Sequence, residues 1–175
     1  MEYRKLQINE INRNLFKQFE RHQKVTQCFR KVNGEWIVKD VPFIDQWSEE
    51  DYCQLVELLK NTLKTGGIVY GAFSENTLKG FASVESVLIG EIHEYLELSC
   101  IHVSEDMRGH GIGKNLFQMA TQWAKTYGAK KLYISAHSSV ESQAFYKAMG
   151  CNEALEYSEK HVEKEPCDCQ LEYVL

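Results

Sequence analysis

The spacing of apolar residues alternates along the chain between the two-residue period of strands and the longer period of helices. The clearest helical period covers residues 112–127 and ends at Gly128, a typical helix stop. A second helical period follows Ser48, a typical N-cap residue, and ends at Gly66-Gly67. Further helices are predicted from Asn9 or Asn12 to about residue 22 and over residues 139–149. The chain therefore mixes helices with strands.

The remaining apolar runs are short and read as strands. They cover residues 3–8, 68–73, 78–88, 96–103, 131–136, 151–157 and 169–174. The helix over 112–127 separates two of these strands, which predicts a crossover and parallel pairing between them. Neither repeats nor linker-like segments interrupt the pattern, so residues 1–175 are predicted to form a single α/β domain.

Two features of the pattern predict local geometry in more detail. In strand 96–103, alternation places one set of side chains on one face and the second on the other: Leu96, Leu98, Cys100 and His102 against Glu97, Ser99, Ile101 and Val103. Residues 26–32 and 35–41 flank Asn33-Gly34, the strongest short-range signal for a hairpin. On general grounds, such a hairpin covers the edge of a sheet.

Composition narrows the class of protein. The chain has 43% hydrophobic and 26% charged residues, which is ordinary for a soluble globular domain. Its N-terminus lacks the apolar region of a signal peptide, so the six cysteines are expected to be reduced thiols in the cytoplasm. A net charge of −5 disfavours nucleic-acid binding, and no apolar run is long enough to predict a membrane segment.

A glycine-rich turn is the strongest chemical signal in the sequence. Gly109, Gly111 and Gly113 alternate with other residues between strand 96–103 and the helix that follows. Glycine lets the backbone approach a ligand, and free N–H groups at a helix N-terminus attract anions. A P-loop would need glycine at Arg108, and a dinucleotide fingerprint would need glycine at Lys114. A phosphate group in some other arrangement is the predicted ligand.

The segment resembles the Arg/Gln-x-x-Gly-x-Gly/Ala signature of the GNAT superfamily of N-acetyltransferases, through Arg108, Gly111 and Gly113, with aliphatic Val103 five positions earlier. The resemblance implies a mixed, mostly antiparallel sheet of about seven strands flanked by about four helices, here with an extra N-terminal hairpin. It also implies acetyl-CoA as cosubstrate, with its pyrophosphate held by backbone N–H groups of this loop. For the hairpin at Asn33-Gly34, the resemblance implies a part in the acceptor pocket, and the alternative that it only covers a sheet edge stays open.

A second stretch resembles the family's Asn-x-x-Ala-x-x-Phe-Tyr-x-x-x-Gly-Phe pattern. Phe145, Tyr146 and Gly150 match it, whereas Ser139, Ser142 and Cys151 stand where Asn, Ala and Phe are usual. The resemblance implies that Tyr146 protonates the leaving thiolate as general acid. Glu97 takes an offset that holds the catalytic base in one branch of the family. The residues predicted to bind the cofactor are Ile101, His102, Val103, Arg108, Gly109, His110, Gly111, Ile112, Gly113, Lys114, Ser139, Ser142 and Tyr146.

The acceptor is predicted to be a primary amine of a small cationic molecule. Two alternatives stay open, an idle acyl-CoA-binding module and an enzyme that acetylates proteins or peptides. No second ligand pair accompanies Cys167 and Cys169, so no metal is predicted. A homodimer is left open.

Overall fold

A computed structural model describes residues 1–175. The strands are β1 Glu2–Lys5, β2 His22–Val32, β3 Glu35–Gln46, β4 Ile68–Ser74, β5 Thr77–Val84, β6 Tyr95–Val103, β7 Lys131–Ala136, β8 Asn152–Glu153 and β9 Cys169–Val174. The α-helices are α1 Glu49–Lys64, α2 Ile112–Tyr127, α3 Val140–Met149 and α4 Glu159–Lys164. Short 3-10 helices lie at Arg13–Phe16 and Glu105–Met107.

Seven strands form the main sheet in the order β1-β4-β5-β6-β7-β9-β8, while β2 and β3 form a separate two-stranded sheet. Only the pair β6–β7 is parallel, because α2 carries the chain from the end of β6 back to the start of β7. The predicted fold class is confirmed: a mostly antiparallel seven-stranded sheet, four helices and an extra hairpin.

The two faces of the sheet carry separate apolar cores. On one face, which we call the donor face, α2 packs through Ile112, Leu116 and Ala120 against buried side chains of the central strands. On the other, which we call the acceptor face, α1 packs through Leu55 and Leu59 onto a cluster rich in aromatic residues. No helix combines the length and the apolar composition that crossing a membrane requires.

The helix α1 begins where its sequence predicts. The Ser48 hydroxyl accepts a hydrogen bond from the Asp51 N–H at 3.2 Å, and the Asp51 carboxylate accepts one from the Ser48 N–H at 2.7 Å. This reciprocal capping box satisfies two N–H groups that a helix start would otherwise leave without partners.

The predicted facing of strand β6 is wrong in its first half. Ser83 pairs with Cys100 and Val84 pairs with Leu98, so Ser99 is an extra residue without a partner in β5. This β-bulge reverses the alternation. Leu98 therefore shares the donor face with Ile101, whereas Cys100 packs on the acceptor face.

Two other predictions need correction. The helix expected to reach residue 22 is a single 3-10 turn, capped by the Asn12 side chain. The chain leaves it because Phe19 accepts a hydrogen bond from the Tyr52 hydroxyl at 2.8 Å and the Glu20 N–H donates to Ser104 Oγ at 3.0 Å. The strand expected over residues 151–157 pairs only at Asn152–Glu153.

The remaining departures are one additional helix and several changed strand bounds. Helix α4 occupies Glu159–Lys164, where no helix was predicted. Strand β1 is also shorter than predicted, and β5 ends at Val84 rather than at residue 88. The hairpin strands β2 and β3 extend well beyond the predicted residues. The hairpin turn itself lies at Asn33-Gly34, and both of these residues have positive φ, as the prediction required.

Candidate active site

The central opening of the sheet lies between β6 and β7. These strands pair only over Tyr95–Glu97 and Lys131–Tyr133, although β6 continues to Val103 and β7 to Ala136. Beyond Glu97 the two strands separate, two residues before the bulge at Ser99. The edge of β6 that faces β7 has no strand partner there, so its backbone groups are free to bind a ligand.

The glycine turn closes one end of this opening. Gly109 and Gly111 have φ of 80° and 75°, a left-handed conformation that L side chains rarely adopt. Gly111 is the N-cap residue of α2, and no side chain caps that helix end. The first N–H groups of α2 are therefore available to an anion.

Gly113 has a different role, which is close packing. A Cβ atom at this position would lie 3.1 Å from the Phe145 ring, tighter than ordinary contact, whereas a Cβ at Gly109 or Gly111 would meet no atom within 4 Å. Gly113 thus allows α2 and α3 to approach each other. The open space beside the two other glycines faces the cavity that they line.

One cavity of about 1120 Å³ joins the opening, the glycine turn and the acceptor face. Most of the predicted cofactor-binding residues line it. These are Ile101, His102, Val103, Arg108, Gly109, Gly111, Ile112, Gly113, Lys114, Ser142 and Tyr146. Three predicted site residues are not among the lining residues, namely Glu97, His110 and Ser139.

Tyr146 lies on α3 with its side chain partly buried against the donor-face core. Its ring packs on Phe145 at a centroid distance of 5.1 Å, and its hydroxyl makes no hydrogen bond within the protein. Burial raises the pKa of this hydroxyl, and the nearby side chains of Cys151, Cys100 and Asp168 add to the effect. Tyr146 therefore stays protonated at neutral pH and faces the cavity with a free donor.

Ser139 and Ser142 form the N-terminus of α3. Ser139 is fully buried, and its hydroxyl accepts a hydrogen bond from the Ser142 N–H at 3.2 Å and donates to Ser142 Oγ at 2.9 Å. It also accepts one from Gln23 Nε2 at 3.3 Å. Ser139 thus caps α3 and ties it to the hairpin, while Ser142 reaches the cavity.

Glu97 is engaged elsewhere. Its carboxylate lies 2.9 Å from His161 Nε2 on α4, and this imidazole also packs at a tilt against the Tyr133 ring, with 5.2 Å between the ring centroids. The structure does not bring Glu97 into the cavity lining, and its role as base stays a prediction. His110 turns its ring toward the Arg108 carbonyl at 3.0 Å, also outside the cavity lining.

His102 reaches the cavity from the acceptor face. Its ring meets the Trp47 ring edge to face at 4.8 Å, and it lies between Trp47 and Phe81. Burial, together with the positive charges of Arg21 and Arg108, lowers the pKa of His102 to about 3. The imidazole is neutral at physiological pH.

The sequence did not single out Arg21 or Asp168 as site residues. Arg21 is 9% exposed, forms an ion pair with Asp45 and lies over the Trp47 ring. Asp168 lies in the loop between α4 and β9, where burial raises the pKa of its carboxyl. Each reaches the cavity from a distant part of the chain, and no local spacing signals it.

The hairpin forms a wall of the cavity. At its start the Glu105 N–H donates to the Glu20 carbonyl at 2.9 Å, next to the end of β6. Further along, the Phe29 N–H donates to the Ser138 carbonyl at 2.8 Å, beyond the end of β7. The hairpin thus spans the ends of the two separated strands, and Gln23 and Lys24 line the cavity beneath it.

The two parallel strands thus separate beside a glycine turn, and a tyrosine hydroxyl faces the gap between them. The model of the acetyltransferase (GNAT) family matches residues 25–151, and the chain belongs to this family. The membership confirms the predicted class of enzyme, an acyltransferase with acetyl-CoA as cosubstrate. A comparison with curated proteins gave no match.

Solved structures support the same fold. A Bacillus anthracis str. Ames protein assigned as a streptothricin acetyltransferase, in complex with acetyl coenzyme A, is 21% identical, with a TM-score of 0.68 over 99% of this chain and 98% of that one. Nourseothricin acetyltransferase is 17% identical, with a TM-score of 0.65 over 98% and 95%. The PaiA N-acetyltransferase of Thermoplasma acidophilum, in complex with coenzyme A, is 19% identical, with a TM-score of 0.60 over 99% and 98%.

Proposed function

We propose that the protein transfers the acetyl group of acetyl-CoA to a primary amine of a small cationic molecule. The observation that carries the proposal is the single cavity that joins the glycine turn, the unpaired edge of β6 and the Tyr146 hydroxyl. Donor and acceptor can therefore meet in one space. This arrangement supports direct attack of the amine on the thioester.

The donor half follows from the geometry of the turn and the strand. The pyrophosphate binds at the N-terminus of α2, where the free N–H groups and the helix dipole favour an anion. The pantetheine arm extends along the unpaired edge of β6, from Val103 toward Ile101. A backbone N–H group on this edge donates to the thioester oxygen as negative charge develops there.

The reaction then needs one proton at the leaving sulfur. Tyr146 is the donor, because its hydroxyl is protonated and has no partner within the protein. As the C–S bond breaks, the thiolate takes this proton and leaves as the CoA thiol.

The acceptor half lies under the hairpin. A cavity walled by paired strands and by α1 favours a small molecule over a protein substrate, which would need an open groove. The carboxylates of Asp51, Glu165 and Asp168 line the cavity and can each pair with an ammonium group, beside the cations Arg21, Lys24 and Lys164. The streptothricin and nourseothricin acetyltransferases among the similar structures make antibiotics of this kind worth including as acceptors.

Two measurements test the proposal. Isothermal titration of acetyl-CoA into the protein should give saturable binding. A thiol-release assay should then identify one amine class from a panel of streptothricin, aminoglycosides, polyamines, amino acids and lysine peptides. Binding without release on any amine would favour the idle module, and release only with lysine peptides would favour a protein acetyltransferase.

A further inference from the structure

One carboxylate on the acceptor face has a geometry that suits proton transfer, and the proposed reaction has so far been given no base. Asp168 immediately precedes β9, and its Oδ2 accepts a hydrogen bond from Ser135 Oγ at 3.3 Å. Ser135 lies on β7 beyond the point where β7 leaves β6. Both residues line the cavity, so Asp168 stands at the edge of the opening.

A chain of hydrogen bonds fixes this carboxylate. The Tyr133 hydroxyl donates to Gln170 Oε1, and Gln170 Nε2 donates to Ser135 Oγ at 3.1 Å. Because Ser135 accepts from Gln170, its own proton is directed at Asp168. The Asp168 N–H in turn donates to the Glu165 carbonyl at 3.0 Å, which holds the loop.

Asp168 and Tyr146 lie on opposite faces of the sheet. Leu171 and Tyr173 of β9 pack with the donor-face core, as Tyr146 does. Gln170 alternates with these two residues along β9, so its side chain lies on the opposite face of the sheet. The contact of Asp168 with Ser135 places the Asp168 side chain on the same face as that of Gln170. A thioester carbonyl held in the opening would therefore have the acid on one side and this carboxylate on the other.

The surroundings of Asp168 suit a proton acceptor. Burial raises the pKa of this carboxyl and the Glu165 charge raises it further, while His137, Ser135 and Lys164 oppose the shift. A carboxylate with a raised pKa removes a proton from an ammonium group more readily than an exposed one. Glu97, by contrast, is paired with His161 outside the cavity lining.

We propose that Asp168 binds the ammonium group of the acceptor and accepts its proton. This assignment rests on the proposed function and identifies the base for it. Asp168 takes one proton from the ammonium and releases it to solvent. The amine nitrogen attacks the thioester carbon, the C–N bond forms and the C–S bond breaks. The sulfur takes the Tyr146 proton, and the second amine proton returns to the tyrosinate through solvent.

The test compares Asp168→Asn with wild-type protein between about pH 6 and pH 10, using acetyl-CoA and the amine of the panel that reacts fastest. Near pH 7, kcat/KM should fall by roughly 100- to 1,000-fold, as is typical of a lost acid–base group. The deficit should shrink as the pH approaches the pKa of the amine, because free amine then reaches the site without a base. Acetyl-CoA affinity should not change.

Three further variants make the result specific. Asp168→Glu keeps the carboxylate and should recover part of the rate, which a purely structural role would not predict. Glu163→Gln removes an exposed charge on α4 outside the cavity lining and should behave as wild type. Glu97→Gln tests the competing base and should keep the wild-type pH profile.

A loss in Asp168→Asn that is the same at every pH would overturn the assignment, as would a wild-type rate. A pH-dependent loss in Glu97→Gln alone would move the base to Glu97. If wild-type protein bound no acetyl-CoA and released no thiol with any amine, the proposed function itself would fail, and the role of Asp168 with it.

Discussion

Replacing Tyr146 with Phe removes only the phenolic hydroxyl, whose surroundings in the structure are well defined. The hydroxyl makes no hydrogen bond within the protein, so its loss leaves no donor or acceptor without a partner. The ring keeps its contact with Phe145. We therefore expect the free energy of unfolding to change by less than about 0.5 kcal/mol, within the range of substitutions that disturb no packing.

The effect on catalysis should be much larger. Without the hydroxyl the thiolate must leave unprotonated or take its proton from water, and kcat should fall by roughly tenfold to a thousandfold. That loss corresponds to about 1.4 to 4 kcal/mol of transition-state free energy. The dissociation constant of acetyl-CoA should stay within about twofold, because the proposed phosphate contacts are at the N-terminus of α2, away from this hydroxyl.

The pH profile gives an independent check of the same role. Burial raises the pKa of Tyr146, so the acid form persists well above neutral pH. An acid is active while protonated, and the wild-type rate should therefore show no alkaline decline from this group below about pH 10, the usual value for tyrosine. Any decline that belongs to Tyr146 at higher pH should be absent from the Phe variant.

Three measurements decide the question together: thermal unfolding, titration of acetyl-CoA and thiol release against pH. A variant with normal stability and affinity but reduced kcat would support the general acid. Wild-type turnover in the Phe variant would refute it and leave Tyr146 as a packing residue.

Two further predictions concern binding and stability. Gly111→Glu should abolish acetyl-CoA binding in titration, because the side chain fills the open space beside the α2 N-terminus and repels phosphate. The control variant Gly128→Glu imposes a similar positive-φ strain at the other end of α2, away from the cavity. If Gly128→Glu lost acetyl-CoA binding equally, backbone strain alone would explain the result for Gly111→Glu. Ser48→Ala removes the capping box and should cost about 1 kcal/mol in denaturant unfolding, with an unchanged midpoint counting against the cap.

The parts of the protein that the sequence predicts well are those with local causes. Gly109 and Gly111 were predicted to form a turn at a helix start, and their positive φ values agree. The Ser48 cap and the Asn33-Gly34 hairpin turn are likewise set by the residues themselves. In each case a short segment contains both the signal and the structure that it specifies.

What the sequence could not predict depends on distant partners. The bulge at Ser99 is a property of the pairing between β5 and β6. The alternation of apolar and polar residues within β6 alone therefore does not predict it. The chain after Phe16 leaves the helix because Tyr52 and Ser104, far along the sequence, bind the backbone there. Asp168 reaches the cavity only because β9 returns beside β7.

The hairpin across the ends of β6 and β7 has a consequence for how substrates are selected. Paired backbone forms this wall, and hydrogen bonds at Glu20 and at Phe29 tie it to the segments that follow β6 and β7. A ligand that enters therefore has little disordered chain to organise, and association loses little conformational entropy. Differences in affinity between amines should then reflect the fit of the amine to a preformed shape, and a slow conformational step before binding is not expected.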